Sequence, residues 1–457
     1  MMLKEFSKYT ISNIFVKATG FVIPLILAYY YTEAEYGVIT LGYAYMNFFL
    51  MFFAFGFCES VQRFYYNLRD TNQKDIFGNI LLFDFILVFF FSLIFAILCF
   101  CTNIFKELPI SIFLMVLFIG YMKALQNIGL SFLQMEGQSS KYVSISVASV
   151  LFDVVLIILF VVIIHLPIQF RFVSLLICNS FSTFLIIFFI KKYIDKPKQL
   201  LNEQFIKVLK FALPCMLLPV MSWLLTTSDK VVMSKLGTMS DVGIYSFCFS
   251  IATMPSIINQ GFNTAYTPIF YAEYENRSKI KSIQNLFIEL YSLMLLVFLL
   301  FVNIFFNYVH IFEKYEPGLK YIPFFLISNV FGAISTLNNS HLAYAYKTKI
   351  TLMITAITGP VSIFLNFLFI KNFDSLGAAI SVATVMTIQM ILSFGCAIKY
   401  GYFAWSLRKL LFMTVFFFAG LFVATKLVIL SIIIIIYILY IIIAEKNLIK
   451  RFMGRHD

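Results

Sequence analysis

Long apolar runs alternate with short polar ones along the whole chain. The first, TISNIFVKATGFVIPLILAYYY at 10–31, is long enough at 1.5 Å per residue to cross a bilayer core of roughly 30 Å. A charge, Lys17, and a helix-kinking residue, Pro24, sit inside it. Asn13, Lys17, Gly20 and Pro24 recur at i, i+4, i+7 and i+11, so they share one helix face. Lipid does not solvate such a face, and an uncompensated lysine at the bilayer centre costs about 3 kcal/mol on insertion scales. The face is expected to look into a polar cavity; the alternative is that Lys17 snorkels to the nearer interface.

The same length rule predicts about fourteen spans, at 11–31, 37–58, 76–102, 109–133, 142–165, 170–190, 208–228, 241–265, 283–309, 320–344, 350–371, 376–398, 408–426 and 427–445. Little but Lys426 separates the last two, which read as a hairpin. No connecting loop is long enough for a soluble domain. The opening run is too long, and too interrupted by Lys17 and Pro24, for a cleaved signal.

Composition agrees. Of 457 residues, 61% are hydrophobic and 12% charged, whereas a soluble domain is about 45–50% apolar and about 25% charged. The net charge of +12 therefore reads as topology and not as nucleic-acid binding. One set of loops, from Lys4 and Lys8 through Arg63, Arg69, the 191–207 stretch and Arg277 to Arg455, carries nearly three times the basic residues of the other. That other set is Lys106, Arg171, Lys230, Lys235, Lys314, Lys320, Lys371 and Lys426. The positive-inside rule then puts both termini in the cytoplasm, consistent with an even number of spans. The seven cysteines are scattered through apolar runs without ligand spacing, as small core residues would be.

A weak internal repeat centres on the basic loop at 191–207. Glu35-Tyr36-Gly37 opens the second span and Asp241-Val242-Gly243 the eighth, 206 positions later; Lys141 and Lys349 mark two similar turns 208 positions apart. Two landmarks with nearly one shift argue for two pseudo-symmetric six-helix lobes of the same orientation, at 1–198 and 199–402, followed by a two-helix extension and basic tail at 403–457. Parallel repeats of this kind belong to transporters. The first span of the second half is also interrupted by prolines, Pro214 and Pro219, and carries Ser222, Thr226 and Asp229 on one face. Such paired interruptions point to a transport cavity. The fold class is thus all-α and polytopic.

Charges at depth supply the candidate chemistry. Lys123 lies mid-span, too deep for easy snorkelling, and two roles stay open: an ion pair with Asp84 or Asp153, or an anion-attracting group in a cavity. Arg63 lies four residues after Glu59, a spacing that allows a helix ion pair. Asn13, Lys17, Arg63 and Lys123 are the candidate substrate-binding residues; Asp84, Asp153, Asp229 and Lys230 are candidate coupling or ion-pair groups. Asn259, Asn263, Thr267, Asn329, Thr336, Asn339 and Ser340 read chiefly as interhelical glue. Tyr29, Tyr30, Tyr31 and Tyr36 read as an interfacial aromatic belt. His165, His310 and His341 are isolated and not assigned to a proton relay. Enzyme signals are absent: the glycines at Gly37 and Gly42 have P-loop spacing, but Tyr43 stands where the lysine must be. No cofactor or metal is expected.

Several stretches together carry a family resemblance: KYTISNIFVKATGF, TEAEYG, MEGQSSKY, KFALPCMLLPVMSWLL, SDKVVMSKLGTMSDVGIYS and DSLGAAISVATV. Their order and spacing resemble the polysaccharide repeat-unit (O-antigen) flippases of the multidrug/oligosaccharidyl-lipid/polysaccharide exporter superfamily. The first span, with Lys17 ahead of Gly20-Phe21, also looks like that of lipid II flippases. The resemblance implies two lobes in a V and movement of undecaprenyl-pyrophosphate-linked oligosaccharides between leaflets of a bacterial inner membrane. Polysaccharide polymerase and ligase machinery are the partners it implies. The alternatives are a cation-coupled drug antiporter of the same superfamily, which would need acidic cavity residues, and a non-transporting membrane scaffold.

Overall fold

The structure is a computed structural model that describes residues 19–65, 73–101, 105–191, 203–400, 405–423 and 426–444. Every element among them is helical. In order they are α1 (Thr19–Tyr30), α2 (Glu33–Ala54), α3 (Phe57–Phe64), α4 (Gln73–Cys101), α5 (Ile110–Met135), α6 (Ser139–Ile157, continued by a π-helical turn at Ile158–Ile163), α7 (Gln169–Ile190), α8 (Glu203–Thr226) and α9 (Ser228–Leu236). Then follow α10 (Met239–Ala252), α11 (Ser256–Ala272), α12 (Arg277–Tyr308), a 3-10 segment (His310–Tyr321), α13 (Ile322–Tyr344), α14 (Thr348–Lys399), α15 (Leu407–Phe422) and α16 (Leu427–Ala444).

Among the described residues eleven helical segments are long and apolar enough to cross a membrane, against the fourteen expected. Three differences account for the gap. The described part of α1 and the 16-residue α15 fall short of a span, and α14 runs through two expected spans with a break at one residue. The chain is a multi-pass membrane protein. Side chains such as Phe85 and Phe89 of α4 are exposed, as lipid-facing residues are. The chain divides into two compact units, Met1–Gly243 and Ile244–Asp457.

In the first unit α2 is the central helix, packed on α5 and, through its other neighbours, on α4, α8 and α9. Thr32 caps it: Thr32 accepts from the Glu35 amide, and the Glu35 carboxylate accepts from the Thr32 amide at 2.9 Å. It ends because Phe55 and Gly56 both turn to positive φ, 44° and 73°. Gly56 is required there on two counts, since a Cβ would also overlap the Ala212 carbonyl of α8. The Trp223 indole of α8 donates to the Ala44 carbonyl of α2 at 3.0 Å. α8 runs unbroken through Pro214 and Pro219; each proline removes one backbone donor without stopping the helix. The chain turns at Thr227, so Asp229 belongs to α9 and leaves the Ser222–Thr226 face expected for it. An apolar cluster that includes Phe57, Ile80, Phe132, Ile186 and Phe205 joins α3, α4, α5, α7 and α8.

In the second unit α13 packs along α14, and α12 carries α15 and α16. α14 breaks at Asp374, whose φ of 52° and ψ of −141° are not helical. The chain folds back there: Gly377 lies so close to the Phe369–Ile370 backbone that a Cβ would overlap it, whereas eight residues of straight helix would hold them about 12 Å apart. The C-terminal helices are fastened by buried polar bonds. The Trp405 indole donates to Asn338 at 2.8 Å, the Ser406 amide to Asn285 at 3.0 Å, and Ser292 and Tyr437 share a bond of 2.8 Å. Asn329 donates to the Ala252 carbonyl, the gluing role expected for such residues.

Candidate functional site

A cavity of about 410 Å³ opens inside the first unit between α1, α5, α6 and α7. At about 30 Å³ per water it has room for on the order of ten waters. Each wall is one helix face. α5 contributes Lys123, Gln126 and Asn127; α6 contributes Ser146, Ser149 and Asp153; α7 contributes Cys178, Asn179 and Ser182; Thr19 and Gly20 come from α1. The spacing is i, i+3, i+4 on α5 and i, i+3, i+7 on α6, rows that stay together on a helix, and Cys178 and Ser182 of α7 are four apart. Half the lining is thus polar at a depth where lipid tolerates little polarity.

Two hydrogen-bonded sets hold the walls. The Gln126 amide donates to the Asn179 carbonyl at 2.8 Å and to Thr183 at 3.3 Å, tying α5 to α7. Arg171, in the first turn of α7, grips Asp153 of α6 with two parallel bonds, 2.7 Å to Oδ1 and 3.1 Å to Oδ2. Its Nε donates to the Tyr43 hydroxyl of α2 at 2.7 Å and its Nη1 to Ser174 at 3.0 Å. Such a fork-to-carboxylate geometry is the strong form of an ion pair. Arg171 is buried, so it is not the loop residue that the orientation count takes it for: Asp153 and Tyr43 neutralise and satisfy it inside the bundle.

The consequence falls on Lys123. Asp153 shares its cavity but is committed to Arg171. Asp84, the other expected partner, lies buried in α4, and neither of its oxygens is hydrogen-bonded among the described residues. Among the described residues no carboxylate lies within ion-pair distance of the half-buried Lys123 ammonium. Among the described residues the cavity therefore holds one cation outside any ion pair, Lys123, beside amide and hydroxyl groups, a set that suits an oxyanion.

The remaining candidates lie elsewhere. Asn13 and Lys17 fall outside the described residues. Arg63 is exposed in the last turn of α3, away from the cavity lining, and among the described residues it forms no ion pair with Glu59, which is exposed too: both side chains face solvent on that helix. Asp229 and Lys230 are buried neighbours in α9, 3.5 Å apart. Tyr29 and Tyr30 are exposed, but Tyr31 and Tyr36 are buried and leave the expected belt; Tyr31 donates to the Leu166 carbonyl. Gln126, Asn127, Ser146, Ser149 and Asn179 are cavity residues that the reading of charges passed over. Their signal was the same-face spacing around Lys123 and Asp153.

A family profile described as "Polysaccharide biosynthesis protein" matches residues 2–275. The chain belongs to this polysaccharide biosynthesis family. The matched stretch includes every helix that lines the cavity. No curated protein sequence matches the chain. Among solved structures, the lipid II flippase MurJ in an inward closed conformation is similar over 96% of this chain and 99% of its own, at 16% identity and a TM-score of 0.74. An inward-facing multidrug resistance transporter of the MATE family, in the MOP superfamily, is similar over 84% of this chain and 94% of its own, at 13% identity and a TM-score of 0.67. An outward-facing MATE structure gives 15% identity over 87% and 95%, with a TM-score of 0.57. At these identities the likeness is one of fold. The family member described here thus has the all-helical fold of a flippase and of drug transporters, proteins that move solutes and do not transform them.

Proposed function

We propose that the protein flips lipid-linked oligosaccharides, of the O-antigen repeat-unit class, from the cytoplasmic to the periplasmic leaflet of an inner membrane, with both its termini cytoplasmic. The observation that carries this reading is the Lys123 ammonium, in no ion pair among the described residues, in a polar cavity of the first unit. A polyprenyl-diphosphate sugar has an anionic linkage, a large polar head and a long apolar tail. The tail stays in lipid, and the head needs a wet chamber with positive charge. Lys123 pairs with a diphosphate oxygen there, and Asn127, exposed on the same face, offers its amide to the head group. Lys17 is the second proposed cation: Gly20 lines the cavity, and the spacing of the sequence puts Lys17 on the Gly20 face. Family membership supports a role in polysaccharide assembly. The fold shared with a lipid II flippase supports a lipid-linked substrate.

A cation-coupled drug antiporter would need a free acidic group in the cavity, and among the described residues the one that lines it, Asp153, is held by Arg171. The test is transport by the purified full chain in vesicles. Movement of a labelled polyprenyl-diphosphate oligosaccharide across the bilayer supports the proposal. Export of a cationic dye with no movement of the lipid overturns it, as does failure to restore surface polysaccharide in a strain lacking its own repeat-unit flippase.

A further inference from the structure

We infer that Arg171 is a positioning residue that keeps the cavity cation available by monopolising Asp153. The inference rests on the reading of Lys123 as the anion-binding group, and extends it to a residue that does not itself line the cavity. An ammonium and a carboxylate facing one low-dielectric chamber attract strongly, so Asp153 is the natural competitor for Lys123. The structure shows why it does not win. Both Asp153 oxygens accept from one guanidinium, and that guanidinium is itself held by Tyr43 and Ser174. Three helices, α2, α6 and α7, thereby converge on Arg171. A planar fork held by Tyr43 and Ser174 as well as by the carboxylate does not swing away as a lysine would. Without Arg171, Asp153 would be a half-buried carboxylate lacking that partner, and among the described residues the cation that shares its cavity is Lys123. The pair would then be self-neutralising, and an incoming anion would have to displace a carboxylate already in place.

The experiment uses the purified full chain and inorganic diphosphate as probe, titrated by calorimetry. Arg171→Gln is expected to weaken diphosphate binding by roughly tenfold or more. Arg171→Gln with Asp153→Asn is expected to restore it, since the competitor has lost its charge. A residue that merely braced three helices would not be rescued this way. Unchanged binding in the single variant overturns the inference, as does a folded double variant that still fails to bind. If the single variant does not fold, the double variant alone decides. A cryo-EM structure of Arg171→Gln gives a second readout, independent of any ligand: Lys123 Nζ is expected within about 4 Å of Asp153, and a Lys123 that stays apart overturns the inference. Lys123→Met, titrated alongside, separates the two ideas. Undiminished diphosphate binding there removes the anion-site reading, while the Lys123–Asp153 distance still judges Arg171.

Discussion

Gly37 and Gly243 lie backbone against backbone. A Cβ at Gly37 would overlap the Met239 carbonyl, and one at Gly243 would overlap the Glu33 carbonyl. The contact is reciprocal, because each glycine meets the residue four places before the other. The local chemistry is matched too. Thr32 with Glu35 caps the start of α2, and Thr238 with Asp241 makes the same pair of bonds at the start of α10. Glycine is used here for close approach, both positions lying on helices. Gly37→Ala and Gly243→Ala are each expected to cost about 1–3 kcal/mol, as overpacking does. Because both press on one contact, the double variant should cost less than the sum. Thermal unfolding of the four proteins in one detergent measures this.

Lys123→Ala is expected to lower surface polysaccharide in a complemented strain about tenfold or more, the loss of one charge-assisted contact. Lys123→Arg, which keeps the charge, should retain most of the activity. Membrane-fraction immunoblots establish that each variant reaches the bilayer. Wild-type polysaccharide in the alanine variant would refute the site.

Asp84 is buried, and among the described residues neither of its oxygens has a hydrogen-bond partner. An unsatisfied buried polar group costs about 1–3 kcal/mol, so Asp84→Leu, close in size and apolar, is expected to raise the thermal midpoint. A lowered midpoint would mean that the carboxyl makes a bond in the membrane that the fold alone does not reveal.

Trp405 reaches from the segment before α15 to Asn338 of α13, which in turn donates to Ser393. Trp405→Phe keeps the ring and removes the donor, leaving the Asn338 oxygen unsatisfied in a buried place. The expected cost is about 1–3 kcal/mol. Limited proteolysis should then release the 405–444 region earlier than in the wild type.

The spans were legible because lipid imposes both length and apolarity on any segment that crosses it. The matching starts of α2 and α10 were legible as a repeat, Glu35-Tyr36-Gly37 and Asp241-Val242-Gly243; that Thr32 and Thr238 cap them came from the structure. Arg171 was not. It stands at the edge of an apolar run, where a basic residue normally marks a loop, and only Tyr43 and Asp153, 128 and 18 positions away, show it to be inside. The role of Lys123 was left open for the same reason: whether Asp153 pairs with it depends on Arg171. Length and caps are written in neighbouring residues; who pairs with whom in a bundle is not.

The reversal inside α14 has a mechanical consequence. Asp374 alone turns the chain, and Gly377 seats one arm on the backbone of the other. There is no slack in such a joint. The two arms, with α13 packed along α14, are expected to tilt together as one lever and not to scissor. Strain on this part of the molecule is expected to be relieved at its outer connections, and a flexible linker spliced in at Asp374 would uncouple what the native bend joins.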